Sequence, residues 1–146
     1  MTEALTATHV IEYTYTRSTG PIIGAFVTGL KDKKIRGVRA ADGRVLVPPQ
    51  EYDPQTSDEL TELVDVADAG TVTTWSWNDR PRLGQPLDHP FAWALVKLDG
   101  ADTGLLAAVD AGDASKMSTG MRVRARWRDE RVGSITDLVC FEAENE

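Results

Sequence analysis

Four arginines stand at every second position from Arg122 to Arg128, in the run MRVRARWR. Guanidinium groups clamp phosphates and carboxylates through paired N–H donors, so a row of them is a candidate anion-binding or partner surface. Three readings stay open for this row: a solvated strand face, a partner interface, or contact with the phosphates of a ligand or of nucleic acid. Trp75 and Trp77 are also two apart. On a strand that spacing puts both rings on one face, with Thr74 and Ser76 on the other. Exposed rings on a small barrel stack bases or anchor protein contacts. Buried rings fill a core. His89 comes just before Pro90-Phe91, at a strand start, where histidine is ordinarily a turn or surface residue. A general base needs a substrate proton within reach, and nothing in the sequence locates one. Asp79 and Asp88 make no spaced acid pair. Cys140, in the apolar run LVCF, reads as an inert buried thiol. Gly70, Gly100, Gly104 and Gly120 fit turns and form no phosphate loop.

Composition narrows these chemistries. One cysteine and two histidines, His9 and His89, leave little for a zinc hydrolase or a Cys-His nucleophile, and nothing for a disulfide framework. A net charge of -7 argues against simple nucleic-acid binding. The charge is uneven: residues 116–131 hold six bases and two acids, whereas residues 51–70 hold seven acids and no base. Such asymmetry suits a polar partner surface, or plain solvation. No apolar run approaches the ~18 residues of a membrane span. The first residues lack the charged and apolar regions of a secretory signal, so a cytoplasmic location is expected. A chain of 146 residues is one domain, or one plus an appendage.

The elements that must position these residues fall into two groups. Ser18, Thr19, Gly20 and Pro21 make a helix start with a hydroxyl cap and an early proline. Ile22, Ile23, Phe26, Val27 and Leu30 follow at helical spacing. Residues 34–38 and 44–47 read as a small hairpin around Ala41-Asp42-Gly43, stopped by Pro48-Pro49. From residue 60 onward the pattern is all-β. Strands are predicted over 60–67, 70–78, 90–99, 103–110, 121–128 and 135–142, with one helical turn over 113–118. Short strands with a small helix before the penultimate one point to a mainly β chain built on an OB-fold barrel, with a β-sandwich as the structural alternative. The division is an N-terminal helix and arm over 1–59 and an OB-fold domain over 60–146.

The ordered set of a short helix, GVRAADGRVLVPPQEYDPQT, GTVTTWSW, HPFAWALVKLDGADTGLLAAV and STGMRVRARW resembles the domain-of-unknown-function thirty-five family over roughly residues 20–142. That family joins an N-terminal helix and a rubredoxin-like zinc ribbon to a C-terminal OB-fold. The resemblance implies an accessory subunit that binds a thiolase-like or aldolase partner in a hetero-oligomer. Partners of this kind make or break carbon–carbon bonds in acyl-CoA substrates, as in steroid side-chain degradation. The partner would carry the nucleophile or base and meet acyl-CoA directly; the small chain would not be catalytic and would contact neither nucleic acid nor membrane.

The sequence departs from that family at the ribbon. Gly43, Pro48-Pro49 and Pro54 align with the family frame and put its four zinc-ligand positions at Arg39, Asp42, Asp53 and Thr56. None is a cysteine. Arginine is a permanent cation and cannot ligate a metal, so no zinc is expected. The hairpin then needs other support: an Arg39–Asp42 or Arg39–Asp53 ion pair, the proline brace, or a partner. An exposed ion pair is worth at most ~1 kcal/mol, against ~10 kcal/mol or more for a structural zinc. Partner contact is therefore the expected support.

The sequence thus reads as a non-catalytic OB-fold accessory subunit. Phe26, Tyr52, Trp75, Trp77 and the arginines at Arg122, Arg124, Arg126 and Arg128 are the candidate contacts. The alternatives are a nucleic-acid-binding OB module and a stand-alone acyl-CoA-binding protein.

Overall fold

The computed structural model describes residues 2–145. Residues 2–20 form neither helix nor strand, and residues 2–19 are exposed. Then come α1 (Pro21–Leu30), β1 (Ile35–Arg39), β2 (Val45–Leu46), β3 (Glu62–Val66), β4 (Ala69–Asn78), β5 (Phe91–Leu98), β6 (Leu105–Val109), β7 (Arg122–Trp127) and β8 (Leu138–Ala143). Strands β2-β1-β3 make a three-stranded antiparallel sheet, and β4-β5-β6-β8-β7 close into a barrel. A 3-10 turn at Ala114–Lys116 precedes β7, where one helical turn was expected. This is the OB-type barrel, and not a sandwich.

Helix α1 starts where the proline placed it, but its cap is different. Gly20 occupies the cap position at φ 85° and no hydroxyl caps the helix. Ser18 is two residues too early, and its Oγ accepts only from the Gly20 N–H at 3.4 Å. The Oε1 of Glu51 accepts instead from the N–H groups of Ile22 (3.0 Å) and Ile23 (3.1 Å). A carboxylate there satisfies orphan donors and complements the positive helix end. One side chain thus ties the helix to the segment that follows the hairpin.

The hairpin turns at Ala41-Asp42-Gly43 as expected, with Gly43 at φ 89°. The expected support is corrected: the arm docks on its own barrel. Phe26, Leu30, Ile35, Val45 and Val47 share one buried cluster with Val72, Val96, Val109, Val123 and Phe141. Backbone bonds seal the contact. The Val45 N–H donates to Asp102 Oδ2 (2.8 Å), and Asp102 N–H donates to the Val45 carbonyl (2.9 Å). Thr103 Oγ1 accepts from Val47 N–H (2.7 Å) and donates to its carbonyl (2.9 Å). An arm that buries its apolar face and pairs its backbone in this way draws support from its own barrel.

Two strand expectations are corrected as well. The 60–67 strand was expected to open the barrel. It is β3, and it pairs along its length with β1, from Ile35↔Val66 to Arg39↔Glu62. Its exposed charges face outward while Val64 and Val66 pack on the core. The 135–142 strand starts three residues later. Ile135–Asp137 is a 3-10 turn because Ser134 and Asp137 make a reciprocal capping box. Gly70 was expected in a turn and lies inside β4, between Leu98 of β5 and Val123 of β7. A Cβ there would stand 2.3 Å from the Lys97 carbonyl oxygen, so the close approach of β4 and β5 requires glycine.

The barrel closes by a short seam. Strands β6 and β8 run parallel and pair only at Val109↔Phe141. All other neighbours in the barrel share three or more pairs.

Candidate functional site

Of the four ribbon positions, Asp42 and Asp53 are joined through a fifth residue, Arg44, and Arg39 and Thr56 bond elsewhere. Arg44 donates from Nε to Asp42 Oδ2 and reaches both carboxylate oxygens of Asp53 from Nη2 at 3.4 Å. The Arg44 N–H also donates to Asp42 Oδ1 at 3.1 Å. The Arg44 guanidinium holds the Asp42 carboxyl below the usual carboxylate range, and Asp42 raises Arg44 in return. Asp53 is buried, 3% exposed, and also accepts from the Gln55 N–H at 2.8 Å. Arg39 makes neither expected pair. It bonds Glu62 at 3.0 Å and the Gly43 carbonyl at 3.2 Å. The reason is register: Arg39 lies directly opposite Glu62 across β1 and β3. Thr56 turns to Asp58, 2.8 Å away.

A zinc ion does not fit this donor set. Two carboxylates, a hydroxyl and a guanidinium lack the thiolate and imidazole donors of a structural site, and the cation of Arg44 already lies between the carboxylates. Among the described residues no three His, Cys, Asp or Glu side chains converge as a metal cluster would.

The arginine row, on β7 as far as Arg126 and just past it at Arg128, is largely spent inside the chain. Arg122 makes a two-pronged pair with Asp99 (2.7 and 2.6 Å) and reaches Glu144 at 3.2 Å. Arg124 bonds Asp68 (2.9 Å) and Glu144 (2.6 Å). Arg126 bonds Asp110 (3.0 Å) and Glu142 (3.2 Å). The Arg122 guanidinium holds Asp99 low, and Arg124 then Arg122 hold Glu144 low. The expected row of four outward cations is therefore corrected: three of the four each pair with two carboxylates of the same chain. Among the described residues only Arg128 of the four forms no ion pair.

The aromatic candidates divide. Phe26 is 5% exposed inside the core, so it cannot reach a partner. Trp75 and Trp77 are half-buried and lie against the same core, while Thr74 and Ser76 face solvent. Tyr52 is 61% exposed and available. Sequence reasoning passed over a second exposed group. Val10, Ile11, Tyr13 and Tyr15 of the N-terminal segment are each at least 68% exposed.

His89 has partners that the sequence did not reveal. Its Nε2 lies 3.1 Å from Asp110 Oδ1 and its Nδ1 lies 3.2 Å from Asp88 Oδ1. Asp110 first, then Asp88, raise the imidazole above its ordinary value. Burial alone would raise the Asp110 carboxyl, but bonds from His89 and Arg126 hold it low. Burial pushes the Cys140 thiol up to about 11, as an inert thiol should be. No helix among the described residues is long and apolar enough to cross a membrane.

Residues 63–128 match the family model described as ChsH2, C-terminal OB-fold domain. The chain is similar in structure to a protein of unknown function from the DUF35 family of Sulfolobus solfataricus. The TM-score is 0.58 and the identity 24%, covering 73% of this chain and 78% of that one. It is also similar to a chain of the Ltp2-ChsH2(DUF35) aldolase, with a TM-score of 0.60 and 22% identity over 87% of this chain and 98% of that one. At these identities the likeness is one of fold. No curated protein matches the sequence.

Proposed function

We propose, from the premise that residues 63–128 form an OB-fold domain of the ChsH2 C-terminal kind, that this chain is a non-catalytic accessory subunit of a thiolase-like enzyme. The partner carries the reacting groups and holds the acyl-CoA. The accessory chain supports assembly and the shape of the acyl channel. The reaction is retro-aldol cleavage or thiolysis in steroid or fatty-acyl side-chain degradation, carried out in the cytoplasm. The chain does this without zinc, since Arg44 does the cross-linking at the ribbon.

The observation that carries this reading is the extent of the likeness to the Ltp2-ChsH2(DUF35) aldolase, 98% of one of its chains. The chain's own residues support it. The groups best suited to chemistry are occupied: His89 sits between two carboxylates, and Cys140 is a buried thiol at about 11. The exposed apolar residues of the N-terminal segment, with Tyr52, offer the kind of surface that a protein partner covers. The nucleic-acid alternative loses its two motivating features, because Trp75 and Trp77 lie against the core and three of the four arginines are paired internally.

Turnover tests the reading. A thiolase-like partner chain should cleave or thiolyse its acyl-CoA substrate faster, or only, when the full chain is added. This chain alone should turn over nothing. Activity of this chain alone on CoA thioesters would overturn the reading.

A further inference from the structure

The unpaired arginine that follows β7, Arg128, borders a cavity. Arg122, Arg124 and Arg126 each meet two carboxylates, whereas among the described residues Arg128 meets none. The cavity encloses about 530 Å³, and Arg128 lines it together with Trp93, Leu105, Leu106, Leu138 and Val139. Sites for small organic molecules span roughly 300–1,000 Å³. Its place follows from the topology. Strands β6 and β8 share only the Val109↔Phe141 pair, and beyond that pair the cavity lies along both strands in place of a ladder.

The lining defines the ligand class. Leu105 and Cys140 are buried and Leu106 is 62% exposed, so the lining runs from the interior to the surface and is mostly apolar, with Gln85 and Thr136 as its uncharged polar side chains. Among the described residues of that lining, Arg128 carries the only permanent charge. An inorganic anion would leave the apolar walls wet. A neutral hydrocarbon would leave the cation unused. We propose that the cavity between β6 and β8 binds an amphipathic anion, an apolar chain laid on the Leu105–Leu138 walls with its carboxylate or phosphate on Arg128. The chain as a whole carries -7 and repels anions at long range. Affinity therefore depends on burial of the apolar chain together with that one local cation. The proposal does not rest on the accessory reading, because it concerns the chain alone.

The test is a titration of the isotope-labelled full chain followed by amide NMR. The probes are decanoate and decyl phosphate, with decanol as the neutral control. Saturable shifts should cluster at residues 105–108 and 138–140, and either anionic probe binding there supports the proposal and assigns the head group. R128Q should weaken the anionic probe about tenfold or more, the loss of one charge-assisted contact, and leave decanol unchanged. L106E, at an exposed wall position, should weaken all three probes. Three results would overturn the proposal: no saturable shifts with either anion, shifts elsewhere in the chain, or R128Q binding the anion as tightly as the parent. A wall built to be covered by a protein partner would give the first of these.

Discussion

The guanidinium of Arg44 meets two carboxylates, one exposed (Asp42) and one buried (Asp53). Removing it leaves Asp53 with the Gln55 N–H and no countercharge, the costly way to break a buried pair. Arg39 pairs with the exposed Glu62, a contact of little worth. R44A should therefore lower the melting temperature clearly more than R39A. Equal melting temperatures for the two variants would contradict this account of the knuckle. The sequence alone led to Arg39, because that position aligns with a metal ligand. Only the pairing of β1 with β3 shows that its side chain is already engaged. Arg44 was legible in principle, as a cation two residues after Asp42 across a glycine turn. At His89 the raised imidazole sets a pH dependence. A value raised above 6.5 on folding means that protonated His89 stabilises the fold fully below about pH 6.5. That contribution is lost as pH rises through the folded value. The melting-temperature gap between parent and H89Q should thus be widest in mild acid and shrink in mild base. A gap that grows with pH would contradict the assignment. Asp110, the decisive partner, is 21 residues away, and no sequence pattern links the two.

Among the elements, α1 and the close approach of β4 to β5 carry the sharpest expectations. E51A removes the acceptor for two helix N–H groups and should cost about 1 kcal/mol in denaturant unfolding, the worth of a helix cap. No measurable cost would mean that water replaces Glu51. G70A places a methyl group against the Lys97 carbonyl and the Leu98 Cα, both backbone. It should destabilise by about 1–3 kcal/mol or block folding, as overpacking does. The strands were the most legible part of the sequence. Alternation from Met121 onward, the Thr- and Trp-rich run at β4 and the Ala41-Asp42-Gly43 turn each located an element within a few residues. Alternation says which face is buried but not which strand lies alongside. That is why β3 was assigned to the wrong sheet. The Ile135–Asp137 turn was missed for another reason: its apolar first residue fits a strand, and the capping box that overrides it is local polar chemistry.

At the scale of the whole molecule, arm and barrel are joined by one core. The N-terminal elements supply Phe26, Leu30, Ile35, Val45 and Val47 to the cluster that also holds Val123 and Phe141. The four tryptophans, Trp75, Trp77, Trp93 and Trp127, all lie in the barrel strands, whereas α1 lies in the arm. Tryptophan fluorescence and helical circular dichroism should therefore follow coincident unfolding curves. Two separated transitions would show that the arm folds apart from the barrel. The barrel class was legible from strand count and spacing. The support for the arm was not, because it comes from Asp102 and Thr103, in the connection between β5 and β6 more than fifty residues away. What the fold leaves exposed, the apolar N-terminal segment and Tyr52, is the surface that the proposed accessory role would use. Co-expression of the full chain with a candidate thiolase-like partner tests that role most directly. The account expects one complex that survives gel filtration at micromolar concentration. Two separate peaks would contradict it.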